Sequence, residues 1–238
     1  MSTTEEAVDT VEVDGFDPSQ IVFGRHIEHD ERSRAFAVSR TTPVASVLWP
    51  RYAPILDQGR IGSCTGNAMT GWLACAPHCA TTAAAARYTE EYAVALYSRA
   101  TRLDNVPGSY PPSDTGSTGL AVAKAARQLG EIRSYGHVFT TSALLSALQH
   151  SPVIIGSVWT DGMFSPDAQG FVHPNGSIAG GHEWLVRGLH YGVTADDQYL
   201  IADNSWGSSF GMAGSFRVRL ADWETLRSQQ ADVVVPVV

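Results

Sequence analysis

Four side chains in this sequence could together form and break a thioester. Cys64 stands at the start of a helical pattern, and His182 follows two glycines. Asn204 lies two positions before a tryptophan. A thiolate attacks a carbonyl carbon, an imidazole transfers the proton, and an amide oxygen orients the imidazole. Gln58 offers a side-chain amide N–H that could bind an oxyanion together with the Cys64 backbone N–H. If these residues meet, we expect acyl transfer through Cys64.

Each of these residues also has an ordinary structural explanation. A helix N-terminus lowers the pKa of a thiol and favours Cys64 as a nucleophile, although buried structural cysteines are common. Adjacent antiparallel strands could place Asn204 beside His182, with Trp206 shielding their hydrogen bond from water. Gly181, the second of the two glycines, would allow a substrate or another backbone to approach closely.

The bulk composition describes an ordinary globular protein. The chain has 238 residues, 44% of them apolar, which suffices for one large domain or two lobes. Its net charge of −8 argues against nucleic acid or an anionic membrane surface as the partner. The apolar runs are too short to span a bilayer, and the first residues lack the features of a secretory signal. With only three cysteines, the sequence predicts a cytoplasmic protein.

The order of the predicted elements favours an α+β fold with two lobes. Apolar spacing and turn residues predict helices over 64–76, 83–102, 120–129 and 142–149, and strands over 152–158, 184–190, 198–203 and 215–220. We therefore expect a helical lobe over about 58–150 and a β lobe over about 151–225. A cleft between two such lobes is a common position for an active site.

Three motifs give the sequence a resemblance to the papain-like cysteine peptidases over roughly residues 44–220. They are Gln58-Gly59 with Gly62-Ser63-Cys64, then Gly181-His182, then Asn204-Ser205-Trp206-Gly207. The resemblance implies a catalytic domain over 41–238, with a helical lobe and an antiparallel β-barrel-like lobe on either side of the cleft. It also implies Cys64 as nucleophile, His182 as base and then acid, Asn204 as the orienting residue, and Gln58 as oxyanion donor.

The resemblance extends to residues that would bind the substrate. Trp206 would line the cleft on the leaving-group side, and Gly181 would also contact the substrate. The stretch Asp114-Thr115-Gly116-Ser117 is similar to the wall that binds the substrate backbone. Papain-type members carry two glycines at the positions of Gly116 and Ser117, so Ser117 is a departure that could alter backbone hydrogen bonding. The implied partner is a peptide or protein, with no metal or other cofactor.

Other departures set this chain apart from papain-type members. Those members carry a cysteine at the position of Ile61, an aromatic residue at that of Thr65, and the partner of that cysteine near Asp114. Neither half of the implied disulfide is present, in agreement with a reducing compartment. The sequence around Cys64 is more similar to the variants found in bacteria and large viruses.

Glu183 takes a position at which the family usually has a small apolar residue. Strand alternation directs it away from His182 and onto the face of Leu185 and Arg187. An ion pair with Arg187 is the simpler interpretation. The alternative is a charge that tunes the pKa of His182 or contacts the substrate.

Two further features are ambiguous. Cys75 and Cys79 flank His78, a weak zinc pattern, and we expect ordinary thiols with no metal site. Residues 1–40 form an extension whose first 14 residues contain acidic but no basic side chains. We expect a flexible tail or an oligomer contact; a short arm that blocks the cleft is the alternative.

These observations predict a cysteine peptidase that cleaves peptide bonds through a thioester on Cys64, with His182 as general base and acid. Two alternatives remain open. The same residues could transfer the acyl group to an amine, as in a transamidase or ligase. The chain could also be a non-catalytic binding or structural protein on a papain-like scaffold.

Overall fold

The computed structural model describes residues 16–28 and 42–238. The second range contains the helices α1 (Cys64–Leu73), α2 (Thr82–Ala85), α3 (Glu90–Ala100), α4 (Gly119–Gln128), α5 (Thr141–Leu148) and α6 (Leu220–Ser228). It also contains the strands β1 (Val47–Leu48), β2 (Ser134–Val138), β3 (Val153–Thr160), β4 (Ile178–Tyr191), β5 (Gln198–Asp203), β6 (Ser215–Arg219) and β7 (Asp232–Val237). Most helices precede most strands, which confirms the predicted α+β class. No described helix is both long and apolar enough to cross a membrane.

Threonine side chains define where four of the helices begin. A threonine oxygen accepts a backbone N–H bond from the first turn of α2, α3, α4 and α5, the capping residues being Thr81, Thr89, Thr118 and Thr140. The single helix predicted over 83–102 is wrong, because Thr89 is extended and caps α3 separately from α2. The helix predicted over 64–76 ends earlier, at Leu73.

The strands form one antiparallel sheet in the order β2-β7-β3-β4-β5-β6, and β1 pairs with β4. The four predicted strands correspond to β3, β4, β5 and β6, although β4 begins earlier, at Ile178. The sequence patterns predict neither β2 nor β7, which extend the sheet beyond the expected range of 151–225. The sheet does not close on itself within the described residues, so the term β-barrel-like applies only loosely.

The two faces of the sheet enclose separate apolar cores. On one face, Leu185, Ile154 and Val234 form a row across β4, β3 and β7 and pack against the cluster of α1 and α4. The other face packs against α5 and α6 and carries a cluster rich in aromatic side chains. The first half of β4 thus lies between α1, which begins at Cys64, and the aromatic cluster on the opposite face.

Candidate active site

Residues 16–28, here called the N-terminal arm, lie across the residues that the sequence selects for catalysis. The arm contacts the loop before α1 at Gly62, the start of α4 at Ser117, and β4 at Gly181. It therefore bridges the helical part of the chain and the sheet. The remainder of the predicted extension, residues 1–15 and 29–40, lies outside the described residues.

The first turn of α1 is held by a chain of side-chain hydrogen bonds around Cys64. Ser63 Oγ donates to Asn67 Oδ1 at 2.8 Å, and Asn67 Nδ2 donates to both carboxylate oxygens of Glu90 at 2.8 Å. Because Glu90 begins α3, these bonds tie the start of α1 to that helix. Cys64 is the first residue of α1, as the sequence predicts.

The Cys64 sulfur is fully buried and is approached by three backbone N–H groups, those of Glu183, Gly24 and Thr65. Glu183 follows His182 in β4, so the sulfur lies against the strand that carries the predicted base. Burial raises the pKa of the Cys64 thiol to about 12 and outweighs the N–H groups, which act to lower it. The lowered pKa predicted for a helix N-terminus therefore does not apply while the arm covers the sulfur.

His182 is hydrogen-bonded to Asn204, as predicted from the pairing of their strands. Leu185 of β4 pairs with Asp203 of β5, which brings Asn204 to the first half of β4. His182 Nε2 lies 2.7 Å from Asn204 Oδ1, and this oxygen also accepts the Ser205 N–H at 2.8 Å. The other ring nitrogen, Nδ1, has no hydrogen bond to any described residue. Asn204 thus fixes the orientation of the ring through Nε2.

The imidazole of His182 is deprived of water and of nearby opposite charge. It is fully buried, and burial lowers its pKa to about 4, while the hydrogen bond to Asn204 acts in the opposite direction. With the arm in place, both the thiol of Cys64 and the imidazole of His182 are therefore neutral at pH 7.

Gln58 already binds a carbonyl oxygen with its side-chain amide. Gln58 Nε2 donates to the carbonyl of Val22 at 3.0 Å and to that of Ile61 at 2.9 Å. Gln58 Oε1 accepts from Ser205 Oγ at 2.7 Å, which orients the amide. Since Val22 belongs to the arm, the amide predicted to bind an oxyanion holds an arm carbonyl instead.

The arm backbone is bound by residues that the sequence assigns to substrate binding. Ser117 N donates to Gly24 O at 2.6 Å, and Ser117 O accepts from His26 N at 2.7 Å. Gly181 O accepts from Arg25 N at 3.0 Å. Both backbone groups of Ser117 are thus used despite its departure from the two-glycine pattern, and its side chain turns away to donate to Asp104 Oδ2 at 2.6 Å.

Several glycines make this close approach possible. A Cβ on Gly24 would lie 1.7 Å from Gly62 O, and one on Gly181 would lie 2.4 Å from Arg25 O. A Cβ on Gly116, whose φ is +70°, would lie 2.4 Å from Gly24 O. The glycines before His182 were expected to admit another backbone, and the backbone that lies against Gly181 is that of the arm.

Aromatic rings cover the side of the site that contains His182. The ring of Trp206 lies 4.7 Å from that of His182, with Trp159 at 5.1 Å on the same imidazole. Phe23 contributes an edge-on contact to His182 at 6.2 Å, and Phe16 stacks on Trp206 at 5.4 Å. Trp206 shields the His182–Asn204 bond from water, and the two phenylalanines of the arm complete the cover.

Glu183 does not pair with Arg187, and that interpretation is wrong. Arg187 Nε donates to Asp203 Oδ2 at 2.8 Å instead. The fully buried Glu183 lies with Asp232 and the guanidinium of Arg25. Burial and the Asp232 carboxylate raise the pKa of Glu183 well above its ordinary value, and the Arg25 charge opposes that rise.

The pattern Cys75, His78 and Cys79 has a structural explanation. His78 Nε2 lies 2.7 Å from Tyr88 Oη, and both thiols are free and buried. Across residues 16–28 and 42–238, no group of three or more histidine, cysteine or carboxylate residues could hold a metal ion.

The sequence reasoning missed three residues that contribute to the site. Arg25 and Phe23 lie in the extension, where no periodic pattern links them to a cleft. Asp232 begins β7, whose β-branched run Val233–Val235 was a usable strand signal. Only the pairing of β7 with β3 brings Asp232 near the first half of β4.

A comparison with known protein families identifies the family to which this chain belongs. Residues 58–233 match the family described as papain family cysteine protease. This chain belongs to the papain family of cysteine proteases. It is a papain-like cysteine peptidase, a hydrolase, as the motifs predict.

Solved structures share the papain-like fold at low sequence identity. Procathepsin L2 from Tenebrio molitor larval midgut has a TM-score of 0.61 and 15% identity, with 93% of this chain and 81% of that chain covered. Xylellain, a cysteine protease from Xylella fastidiosa, has a TM-score of 0.57 and 17% identity, with 99% of each chain covered. ProCathepsin B from Trypanosoma congolense has a TM-score of 0.60 and 10% identity, with 91% and 87% covered. No curated protein sequence matches at a significant level.

Proposed function

We propose that this peptidase cleaves peptide bonds through a thioester on Cys64. His182 Nδ1 removes the thiol proton, and the sulfur attacks the carbonyl carbon of the substrate. Gln58 Nε2 and the Cys64 backbone N–H bind the resulting oxyanion. The His182 imidazolium then protonates the leaving amine. In the second half of the reaction, His182 activates a water molecule that hydrolyses the thioester.

The observation that carries this proposal is the difference between the surroundings of the two nitrogens of the His182 ring. Nε2 is bound to Asn204 at 2.7 Å, whereas Nδ1 is buried without a hydrogen-bond partner in the described part of the chain. A ring nitrogen without a partner is free to accept a proton from a reacting thiol. The backbone N–H of Glu183, the residue after His182, acts on the Cys64 sulfur, so the thiol lies against the same part of β4.

The N-terminal arm holds this enzyme in an inactive state. It occupies the amide of Gln58 and the backbone groups of Ser117 and Gly181. It also excludes water from Cys64 and His182, so that neither is charged at pH 7. The backbone N–H of Gly24 is directed at the Cys64 sulfur. The arm thus blocks the site with its backbone.

One observation favours a second candidate, a closed binding protein without turnover. Cys64 and His182 are both 0% exposed, and a permanently closed arm would leave them unused. The two candidates differ in whether the arm can leave.

The experiment is to release the arm and measure both thiol reactivity and turnover. Gly24→Ala introduces a Cβ that would lie 1.7 Å from Gly62 O, so the arm must move away. We expect the full-length variant to react with iodoacetamide at Cys64 and to cleave a peptide library, both faster than wild type. Gly71→Ala is the matched control, since its Cβ meets only a Leu185 methyl carbon, at 3.3 Å.

Two readouts keep the outcome clear. Cys75 and Cys79 are buried in the wild-type protein and report general unfolding if they become labelled in the variant. Gly24→Ala/Cys64→Ala should lose all turnover. A folded Gly24→Ala protein that exposes Cys64 but cleaves no peptide would exclude the peptidase and favour the binding protein. Added amines that appear in the products would instead indicate a transamidase.

A further inference from the structure

Two carboxylates face each other across a gap in the sheet beside the catalytic residues. Glu183 of β4 pairs with Gly156 of β3, and Gly156 pairs with Asp232 of β7. The three residues form one row, next to the apolar row that packs on α1 and α4. With glycine in the centre, the row has a space flanked by Glu183 and Asp232.

Glycine is required on both walls of this space, here called the acidic pocket. A Cβ on Gly156 would lie 2.7 Å from both Glu183 Oε2 and Asp232 Oδ1. From the opposite wall, a Cβ on Gly119 of α4 would lie 2.7 Å from Glu183 Oε1 and 3.0 Å from Asp232 Oδ2. Any larger residue at either position would fill the pocket.

The arm fills the acidic pocket with a guanidinium group. Arg25 Nη2 donates to Asp232 Oδ1 and, at 3.0 Å, to the carbonyl of Gln230. The Arg25 side chain is only 1% exposed. Gln230 presents its carbonyl from a left-handed conformation, with φ at 64°, at the turn before β7.

Arg25 satisfies the pocket only in part. Both carboxylate oxygens of Glu183 are buried and accept no hydrogen bond from a described residue, and Arg25 Nε donates none. Removing carboxylates from water is costly unless a cation with donors is supplied. Glu183 therefore retains unused acceptors for a basic group that enters at a different angle from Arg25.

The backbone contacts of the arm show how a substrate would deliver such a group. Ser117 hydrogen-bonds on both sides of Arg25, and Gly181 O accepts the Arg25 N–H. These are backbone groups that bind any residue equally well. A substrate strand on the same groups presents the corresponding side chain to the acidic pocket.

We propose that Glu183 and Asp232 form a specificity pocket for an arginine or lysine side chain of the substrate, which Arg25 occupies in the closed enzyme. This inference rests on the proposed peptidase function. It predicts that the peptidase accepts a basic residue at one position near the cleaved bond and discriminates there against neutral and acidic residues.

The test uses full-length Gly24→Ala protein and peptides in which arginine, lysine, norleucine or glutamate is placed at each position near the cleaved bond. We expect kcat/KM for arginine or lysine at one position to exceed that for norleucine by about 30-fold or more. Glu183→Gln and Asp232→Asn, each in the Gly24→Ala background, should reduce this ratio to about threefold or less. Cleavage of the norleucine peptide should persist, which reports that these variants fold.

Glu131→Gln is the matched control, because Glu131 is a partly buried carboxylate that binds Arg87, Tyr88 and Tyr92 rather than the arm. It should leave the preference unchanged. Cleavage without a basic preference, or a preference that survives in both pocket variants, would overturn the pocket while leaving the peptidase intact.

A binding measurement tests the acidic pocket in the case that the protein cleaves no peptide. If Gly24→Ala cleaves nothing, calorimetry on Gly24→Ala/Cys64→Ala compares binding of the arginine and norleucine peptides. Tighter binding of the arginine peptide, lost with Glu183→Gln, would support the pocket without catalysis. Equal binding of the two peptides would overturn it.

Discussion

His182 and Glu183 are neighbours in β4 and are equally buried, yet the two sides of the site around them are built differently. His182 faces the rings of Trp206 and Trp159 and has one polar partner, Asn204. Glu183 faces a second carboxylate and a guanidinium. On the aromatic side, burial holds the imidazole in its neutral form. On the acidic side, the arm supplies a charge opposite to that of the pocket.

The difference teaches that one arm closes the site by two kinds of interaction. Residues before Gly24 cover His182 with apolar rings, and residues after it compensate buried charge. Apolar contact responds little to salt and pH, whereas charge compensation is lost as soon as one partner is removed. The two sides can therefore be separated by substitution.

The largest effect is expected on the aromatic side. In the Gly24→Ala background, His182→Ala should lower kcat/KM by about 10³-fold or more, since proton transfer is lost. Glu183→Gln, one residue away, should leave cleavage of a norleucine peptide within about threefold. Steady-state kinetics on that peptide compare the two variants. Equal losses would mean that both residues serve the same step.

The next largest effect is expected from the ion pair that binds the arm on the acidic side. Arg25→Ala removes the only described cation hydrogen-bonded in the pocket and leaves the Asp232 carboxylate without this partner, at a cost of about 3–5 kcal/mol to the closed state. We expect Cys64 alkylation to accelerate by about 100-fold or more relative to wild type.

Phe23→Ala is the matched substitution on the aromatic side. It removes edge contacts of 6.2 Å and 6.3 Å to His182 and Trp206. Because Phe23 is only partly buried, we expect a smaller acceleration of alkylation, about tenfold. A larger acceleration for Phe23→Ala would reverse the comparison and make the apolar contacts the main restraint.

Per pH unit, the effect of pH is expected to be no larger than that of Phe23→Ala. The pKa of His182 is about 4 in the closed state and returns toward its ordinary value of about 6.5 when water reaches the ring. Between these two pKa values the closed state binds fewer protons than the open state. The closed state therefore loses stability relative to the open state as pH falls from about 6.5 to about 4. Opening should rise by at most about tenfold per pH unit from this one group.

Hydrogen exchange at the amides of Arg25 and His26, corrected for intrinsic rates, measures this opening. These amides bind Gly181 O and Ser117 O in the closed state. His182→Gln removes the titrating group and should flatten the response. If the response in this variant is as steep as in wild type, the carboxylates of the acidic pocket dominate instead.

The smallest effect is expected at the backbone wall shared by both sides. Ser117 uses its N–H and carbonyl for the arm, and its side chain binds Asp104. Ser117→Gly restores the two-glycine pattern and should change kcat/KM in the Gly24→Ala background by less than about threefold. The lost hydrogen bond should lower the free energy of unfolding by about 1 kcal/mol, measured by urea denaturation. A large kinetic change would mean that the Ser117 side chain contacts the substrate.

The sequence predicted the parts of the site whose positions follow from local pattern. Cys64 begins a helix, and strand alternation with pairing of β4 and β5 was enough to bring Asn204 to His182. The same alternation correctly turned Glu183 away from His182. These predictions depend on the periods of helices and strands, which are visible in a short window.

Predictions failed where a residue depends on a distant strand or on a competing partner. Glu183 and Arg187 share a face, but Asp203 lies closer to Arg187 and takes its charge. The path of the arm depends on glycine-to-glycine contact between Gly24 and Gly62, which carries no periodic signal. The thiol pKa was predicted from the helix end alone, whereas burial beneath the arm dominates.

The arm and the site that it fills belong to one polypeptide, and this determines how the enzyme responds to concentration. An inhibitor on the same chain acts at a fixed effective concentration, of millimolar order for a short connection. Dilution therefore leaves the closed fraction unchanged, and a competing peptide must exceed that local concentration to enter. Cleavage within the chain between the arm and residue 42 would convert the arm into an ordinary dissociable inhibitor, and only then would dilution activate the enzyme.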